Sequence, residues 1–167
     1  MAAPKYLGAA RDFGRLLGAA GHRLVYGGGN CGMMGAVADG ALEHGAEVIG
    51  VIPRMFDEYE VAHQGLTRLE YTLTMHERKA RMVELCDVFV ALPGGLGTWD
   101  ELCEILTWRQ LRFHSKPVLI VNQDGFYDAL LALADRAVEE GMLREENRAL
   151  FDTVASVEEA AARIEAI

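Results

Sequence analysis

Apolar residues recur at three- and four-residue intervals from Tyr6 to Ala20, at Leu7, Ala10, Phe13, Leu17 and Ala20. This is the spacing of one buried helix face, and Gly21 supplies its stop. Leu24-Val25-Tyr26 is a short apolar run and reads as a strand, followed by a glycine-rich turn and a second helix from about Met33 to His44. Glu47 to Ile52 predicts the next strand, halted by Pro53. Arg54 to Thr67 is irregular and polar, long enough to be a functional loop. A strand over Arg68 to Leu73, a helix over Met75 to Cys86 and a strand over Asp87 to Leu92 come next. The pattern then gives a helix from Thr98 to Phe113, a strand from Pro117 to Val121 and a helix from Tyr127 to Glu140. Gly141 to Leu150 reads as a loose turn, Phe151 to Val154 as a short edge strand, and Ser156 with Glu159 as the cap of a last helix reaching Ile164.

Strand and helix alternate throughout, with no internal repeat or linker. That predicts an α/β chain, a single domain over residues 1–167 built on a doubly wound, Rossmann-like parallel sheet. Such sheets bind ligands at the carboxyl ends of their strands, and both glycine-rich stretches fall at such ends.

Charge and cysteine usage narrow the function classes. With 16 Lys and Arg against 25 Asp and Glu, the net charge of −9 argues against broad nucleic-acid binding. No apolar run reaches the roughly 18–20 residues that span a bilayer, and Met1 to Lys5 carries no apolar signal segment. Cys31, Cys86 and Cys103 are odd in number, lack metal-like spacing and sit in apolar elements. They read as reduced core residues of a cytoplasmic protein without membrane or metal partners.

Two turns and two helices carry candidate chemistry. Pro93-Gly94-Gly95-Leu96-Gly97-Thr98 lies at a strand-to-helix turn, where free N–H groups and the positive dipole end suit a phosphate. Thr98 is the expected N-cap, with Asp100 and Glu101 in the first turn behind it. The earlier turn, Gly27 to Gly35, either holds a phosphate or ribose through Gly28 and Gly29 or packs helix closely on strand. It has neither the spacing of a dinucleotide fingerprint nor a P-loop lysine. On the Met75 helix, Glu77 and Arg81 are spaced as an i,i+4 pair, while Arg78 and Lys79 border the apolar face. Those two cations either snorkel to water or form an anion site. His76 begins the same helix. On the Thr98 helix, Trp99, Leu102, Cys103 and Leu106 form one stripe, and Ile105, Trp108 and Glu101 a second. A helix apolar on two sides needs two partners, and a second copy of the chain is the simplest source of one, so a homodimer is expected. Glu101 is then either a helix-start acid answering the dipole or a partly buried carboxylate, raised in pKa or paired with a cation such as Arg78.

Jointly, Pro93 to Glu101 (the pattern PGGxGTxxE), Met75-His76-Glu77-Arg78-Lys79, the turn Gly27 to Gly35, Leu106-Thr107-Trp108 and Lys116-Pro117 resemble the Lonely Guy family. Its members are cytokinin riboside 5′-monophosphate phosphoribohydrolases, formerly labelled lysine decarboxylase-like. The resemblance covers nearly the whole chain. It implies hydrolysis of the N-glycosidic bond of an adenine-type nucleoside 5′-monophosphate without a cofactor. It makes Arg78 and Glu101 catalytic, and Glu60, Lys79, Gly94, Gly95, Gly97, Thr98 and Thr107 substrate-binding; Gly28, Gly29, Met75, His76 and Asp100 are further candidates. The family's first strand and its Gly-Ser-Ser turn precede the Pro-x-Tyr found here as Pro4-Lys5-Tyr6, so the sheet is expected to lack that strand. A non-catalytic nucleotide-binding module of related fold is the alternative.

Overall fold

The computed structural model describes residues 2–56 and 62–167. Backbone proximity divides the chain into two compact units, Met1–Cys86 and Asp87–Ile167.

The first unit contains α1 (Pro4–Ala19), β1 (Leu24–Tyr26), α2 (Gly32–Glu43), β2 (Val48–Pro53), β3 (Arg68–Thr72) and α3 (Met75–Leu85). Its strands form a parallel sheet in the order β1-β2-β3, with Val25 opposite Ile49 and Gly50 opposite Leu69. The central strand β2 is buried at every residue, as a parallel strand laddered on both sides should be. Pro53 does not halt this strand but is its last residue, opposite Thr72. A proline lacks only its N–H, which the end of a strand can spare. Ala10, Phe13 and Leu17 of α1 are buried as their periodicity requires, whereas Leu7 is half-buried and Ala20 is exposed at the helix C-cap. α1 and α2 meet backbone to backbone: a Cβ on Gly14 would overlap the Val37 carbonyl, and one on Gly40 the Arg11 carbonyl.

α3 opens with a capping box. The Thr74 hydroxyl accepts from the Glu77 N–H at 3.1 Å, and the Glu77 carboxylate accepts from Thr74 N–H at 3.3 Å and Leu73 N–H at 2.7 Å. Glu77 therefore turns back to the helix start instead of pairing with Arg81. Arg81 forks onto Glu70 of β3, Nε to Oε2 at 2.6 Å and Nη2 to Oε1 at 3.2 Å, and reaches Glu84 at 2.9 Å. That hydrogen-bonded fork holds the Glu70 carboxyl below the usual range.

The second unit contains β4 (Phe89–Ala91), α4 (Leu96–Gln110), β5 (Val118–Val121), α5 (Asp128–Glu139), α6 (Glu145–Arg148), β6 (Asp152–Val154) and α7 (Val157–Glu165). Its sheet is also parallel, in the order β4-β5-β6, with β5 central and wholly buried. β4 is shorter than the hydrophobic run that predicts it and only half-buried, because it ladders on one side. Ser156 caps α7 as expected, accepting from Glu159 N–H at 3.3 Å. The α/β class and the parallel pairing match the sequence pattern; the expected single sheet is two three-stranded ladders.

The cysteines differ from expectation. Cys31 and Cys103 are exposed and Cys86 is half-buried, all three as free thiols. Cys31 sits at the α2 N-cap and Cys103 on the outer side of α4, whose buried seam is Leu102 and Ile105. Among the described residues, no helix is long and apolar enough to cross a membrane.

Candidate functional site

In the first unit the candidate chemistry gathers at the carboxyl end of β1. Arg78 reaches from α3 to this point. Its Nε donates to the Val51 carbonyl at 3.0 Å, Nη1 lies 3.8 Å from the Met75 sulfur, and Nη2 rests over Gly27 so closely that a Cβ there would overlap it. Gly27 is thus a seat for the guanidinium, with no positive φ of its own. Met75 is half-buried and lines the same arginine, while His76 is exposed on the first turn of α3. Lys79 does not snorkel. It is the buried residue of α3, at 7% exposure, and a buried ammonium needs compensating polar or charged partners.

Gly28 and Gly29 are buried beside this seat. Gly28 has φ +78°, a left-handed backbone that glycine alone adopts freely. Both carbonyls are committed: Gly28 accepts from the His63 N–H at 3.0 Å and Gly29 from the Tyr26 hydroxyl at 3.2 Å. Gly29 also forms an antiparallel bridge with Ala62. Burial first, and the Asp39 carboxylate second, push the ionisation of Tyr26 far above the usual tyrosine range, so its hydroxyl stays a donor. Glu60, expected to bind substrate, lies outside the described residues.

In the second unit the Pro93–Glu101 stretch joins β4 to α4. The helix begins earlier than its sequence suggests. Gly95 is the N-cap, in extended backbone (φ −98°, ψ −156°), and Trp99 N–H bonds the Gly95 carbonyl at 3.0 Å to close the first turn. Thr98 is therefore inside the helix and not its cap, and Asp100 and Glu101 fall beyond the first turn. The two glycines allow the chain to wind without a side-chain cap. Thr98 lies folded over Gly94, whose Cβ would overlap its hydroxyl, whereas Gly95 and Gly97 face open space. Glycine at these two positions leaves room at a helix start rather than permitting a strained turn. Asp100 is exposed and Glu101 half-buried, the separation that helix phase predicts. Thr107 is exposed and spends its hydroxyl on the Cys103 carbonyl at 2.7 Å, one turn back in its own helix.

Two residues that sequence reasoning passed over brace these turns. Tyr127, 2% exposed, donates to the Leu92 carbonyl at 2.7 Å, directly before Pro93. Its only sequence signal is an aromatic near a helix start. His63, which no sequence pattern singles out, is buried against Asp39 and the first glycine turn. Among the described residues, no group of three or more His, Cys, Asp or Glu is placed to hold a metal ion.

Comparison with known proteins defines the class. A family profile described as possible lysine decarboxylase matches residues 34–164. A cytokinin riboside 5′-monophosphate phosphoribohydrolase of Rhodococcoides fascians is 43% identical over 161 residues, covering 96% of this chain and 81% of that protein. The rice (Oryza sativa subsp. japonica) enzyme of the same name is 42% identical over 160 residues, covering 96% of this chain; the chain spans 66% of that relative's length. The chain belongs to the Lonely Guy family of cytokinin riboside 5′-monophosphate phosphoribohydrolases. Solved structures show the same fold. The molybdenum cofactor binding protein of Rippkaea orientalis superposes with TM-score 0.76 at 24% identity, over 99% of this chain and 90% of that one. The molybdenum cofactor carrier protein of Chlamydomonas reinhardtii superposes with TM-score 0.73 at 22% identity, over 98% and 88%.

Proposed function

We propose that this chain hydrolyses the N-glycosidic bond of adenosine 5′-monophosphate, plain or N6-substituted, releasing the free base and ribose 5-phosphate. The observation that carries the proposal is a family member with both motifs intact, Met75 to Lys79 and Pro93 to Glu101, whose motif arginine is seated on a glycine at a strand end. Water supplies oxygen to C1′, the electron pair of the C1′–N bond leaves on the base, and the base takes up a proton. The transition state is oxocarbenium-like, so the Glu101 carboxylate stabilises positive charge on the ribose or orients the water. Arg78 supplies positive charge to the phosphate or to the departing purine. Glu60, Lys79, Gly94, Gly95, Gly97, Thr98 and Thr107 bind the nucleotide, with loop N–H groups on its phosphate. The reaction needs no cofactor. In this reading residues 1–167 are one catalytic domain, acting in the cytoplasm as a homodimer.

The test incubates the protein with AMP and with N6-isopentenyl-AMP in parallel and chromatographs the free base. Release of base, lost in Glu101→Ala, is the expected result; no base from either, with Glu101→Ala indistinguishable from wild type, overturns the proposal. The fold is also that of proteins described as a molybdenum cofactor binding protein and a molybdenum cofactor carrier protein, which favours a second reading: nucleotide binding without turnover. Tight AMP binding in the absence of base release selects that reading.

A further inference from the structure

His63 is a buried imidazole for which the proposed chemistry has no use, and its surroundings are built. Its ring Nδ1 accepts from the Gly65 N–H at 3.1 Å, so in the neutral ring Nε2 carries the proton and donates to Asp39 Oδ1 at 3.0 Å. Asp39 stands on α2, the helix into which the first glycine turn opens. It also meets Arg11 of α1 at 3.8 Å, a half-exposed pair of little energetic weight. The backbone N–H of His63 holds the Gly28 carbonyl at 3.0 Å. His63 is therefore a three-way tie between the glycine turn, α2 and its own Ala62–Gly65 segment.

The tie reaches the turn through peptide planarity. In a trans peptide the C=O and the following N–H point to opposite sides of the chain. With the Gly28 carbonyl fixed on His63, the direction of the Gly29 N–H is fixed too. The left-handed backbone of Gly28 would otherwise leave that plane free to rotate.

We infer that His63 is a positioning residue for nucleotide binding: locked by Asp39 and Gly65, it sets the peptide plane between Gly28 and Gly29, next to Gly27 on which the Arg78 guanidinium is seated. The inference rests on the reading of the protein as a nucleotide phosphoribohydrolase. A positioning residue that acts on binding geometry shifts KM and spares kcat.

The experiment measures kcat and KM for AMP in wild type, His63→Ala, Asp39→Ala, Asp39→Asn and the His63→Ala/Asp39→Ala double variant. Loss of one buried hydrogen-bonded tie should raise KM ~10-fold in either alanine variant, with kcat within about twofold. The double variant should be no worse than His63→Ala, because the two residues act as one unit. Asp39→Asn, which keeps an oxygen to accept from His63 Nε2–H, should retain near-wild-type KM. Additive effects, a fall in kcat at constant KM, or no rescue by Asp39→Asn overturns the role. If His63→Ala does not fold by circular dichroism, His63→Gln replaces it and is held to the same KM criterion. A wild type that binds AMP by calorimetry without turnover sinks the hydrolase reading alone, and the same comparisons are then read in AMP affinity. A wild type that turns over AMP while His63→Ala keeps its KM sinks only the role of His63. A wild type that does neither sinks both.

Discussion

The hydroxyl of Tyr127 donates to the carbonyl of Leu92 at 2.7 Å, tying the start of α5 to the residue that enters the Pro93-Gly94-Gly95 turn. Tyr127 is itself held, its N–H donating to Asn122 Oδ1 at 2.7 Å. Tyr127→Phe keeps the ring and removes the tie. It should cost about 1 kcal/mol, seen as a melting temperature lower by about 2–4 °C. Because the strut meets the turn, KM for AMP should rise while kcat holds.

Burial pushes the Tyr127 hydroxyl up to about 12 from an ordinary value of 10.0, and Tyr26 moves in the same direction. A hydroxyl that ionises later in the folded chain favours folding only while the unfolded chain keeps its proton. The contribution is complete below pH 10 and is lost as pH rises toward 12, on the order of 2 kcal/mol for Tyr127. Ultraviolet titration should show these two of the five tyrosines ionising only as the chain unfolds. Tyr127→Phe should flatten the alkaline limb of a urea-stability profile.

Gly27→Ala sets a methyl group where the Arg78 guanidinium lies. The backbone tolerates the change, since φ there is not positive, so the fold should survive and the arginine should move. For the catalytic role proposed for Arg78, displacement by about 1 Å costs on the order of 100-fold in rate. The double variant Gly27→Ala/Arg78→Ala should be no slower than Arg78→Ala. Steady-state kinetics on AMP decide; full activity in Gly27→Ala would remove Arg78 from the mechanism.

Glu70 is held below the usual carboxylate range by the Arg81 fork. A lowered carboxyl stabilises the fold above its unfolded value, near 4.5, and the contribution fades as pH falls below that. Glu70→Gln should therefore lose stability at pH 7 yet converge on wild type in acid. Urea titrations at both pH values measure the convergence.

Leu96 and Trp99 of α4 and Phe113 beyond its end are exposed in the single chain, at 78%, 46% and 74%. The proposed homodimer uses this surface. Light scattering at micromolar concentration should give twice the chain mass, and Trp99→Glu should shift it toward one; a monomeric wild type overturns the assembly.

Much of this was legible in residue order because burial imposes periodicity. The α1 face, the fully apolar β2 and β5, and the Ser156 cap all follow from spacing alone. The N-cap of α4 did not, because Thr98 satisfies a cap rule that two preceding glycines make unnecessary. Glu77 was misjudged because its capping partner Thr74 and its spaced partner Arg81 compete, and the backbone N–H groups prevail. Burial of the cysteines does not follow from apolar neighbours, because Cys31 and Cys86 are helix-cap residues and Cys103 lies on the exposed side of α4. His63 carries no local signal: its partner Asp39 is 24 residues away, and only the fold makes them neighbours.

The contact between α1 and α2 also limits what the sequence can become. Gly14 and Gly40 let the two helices touch through their backbones, an approach that freezes almost no side-chain rotamers. A side chain at either position meets a carbonyl of the facing helix, and a carbonyl cannot turn aside as a rotamer does. Substitution at these two glycines is barred by backbone geometry, whatever the chemistry of the incoming side chain.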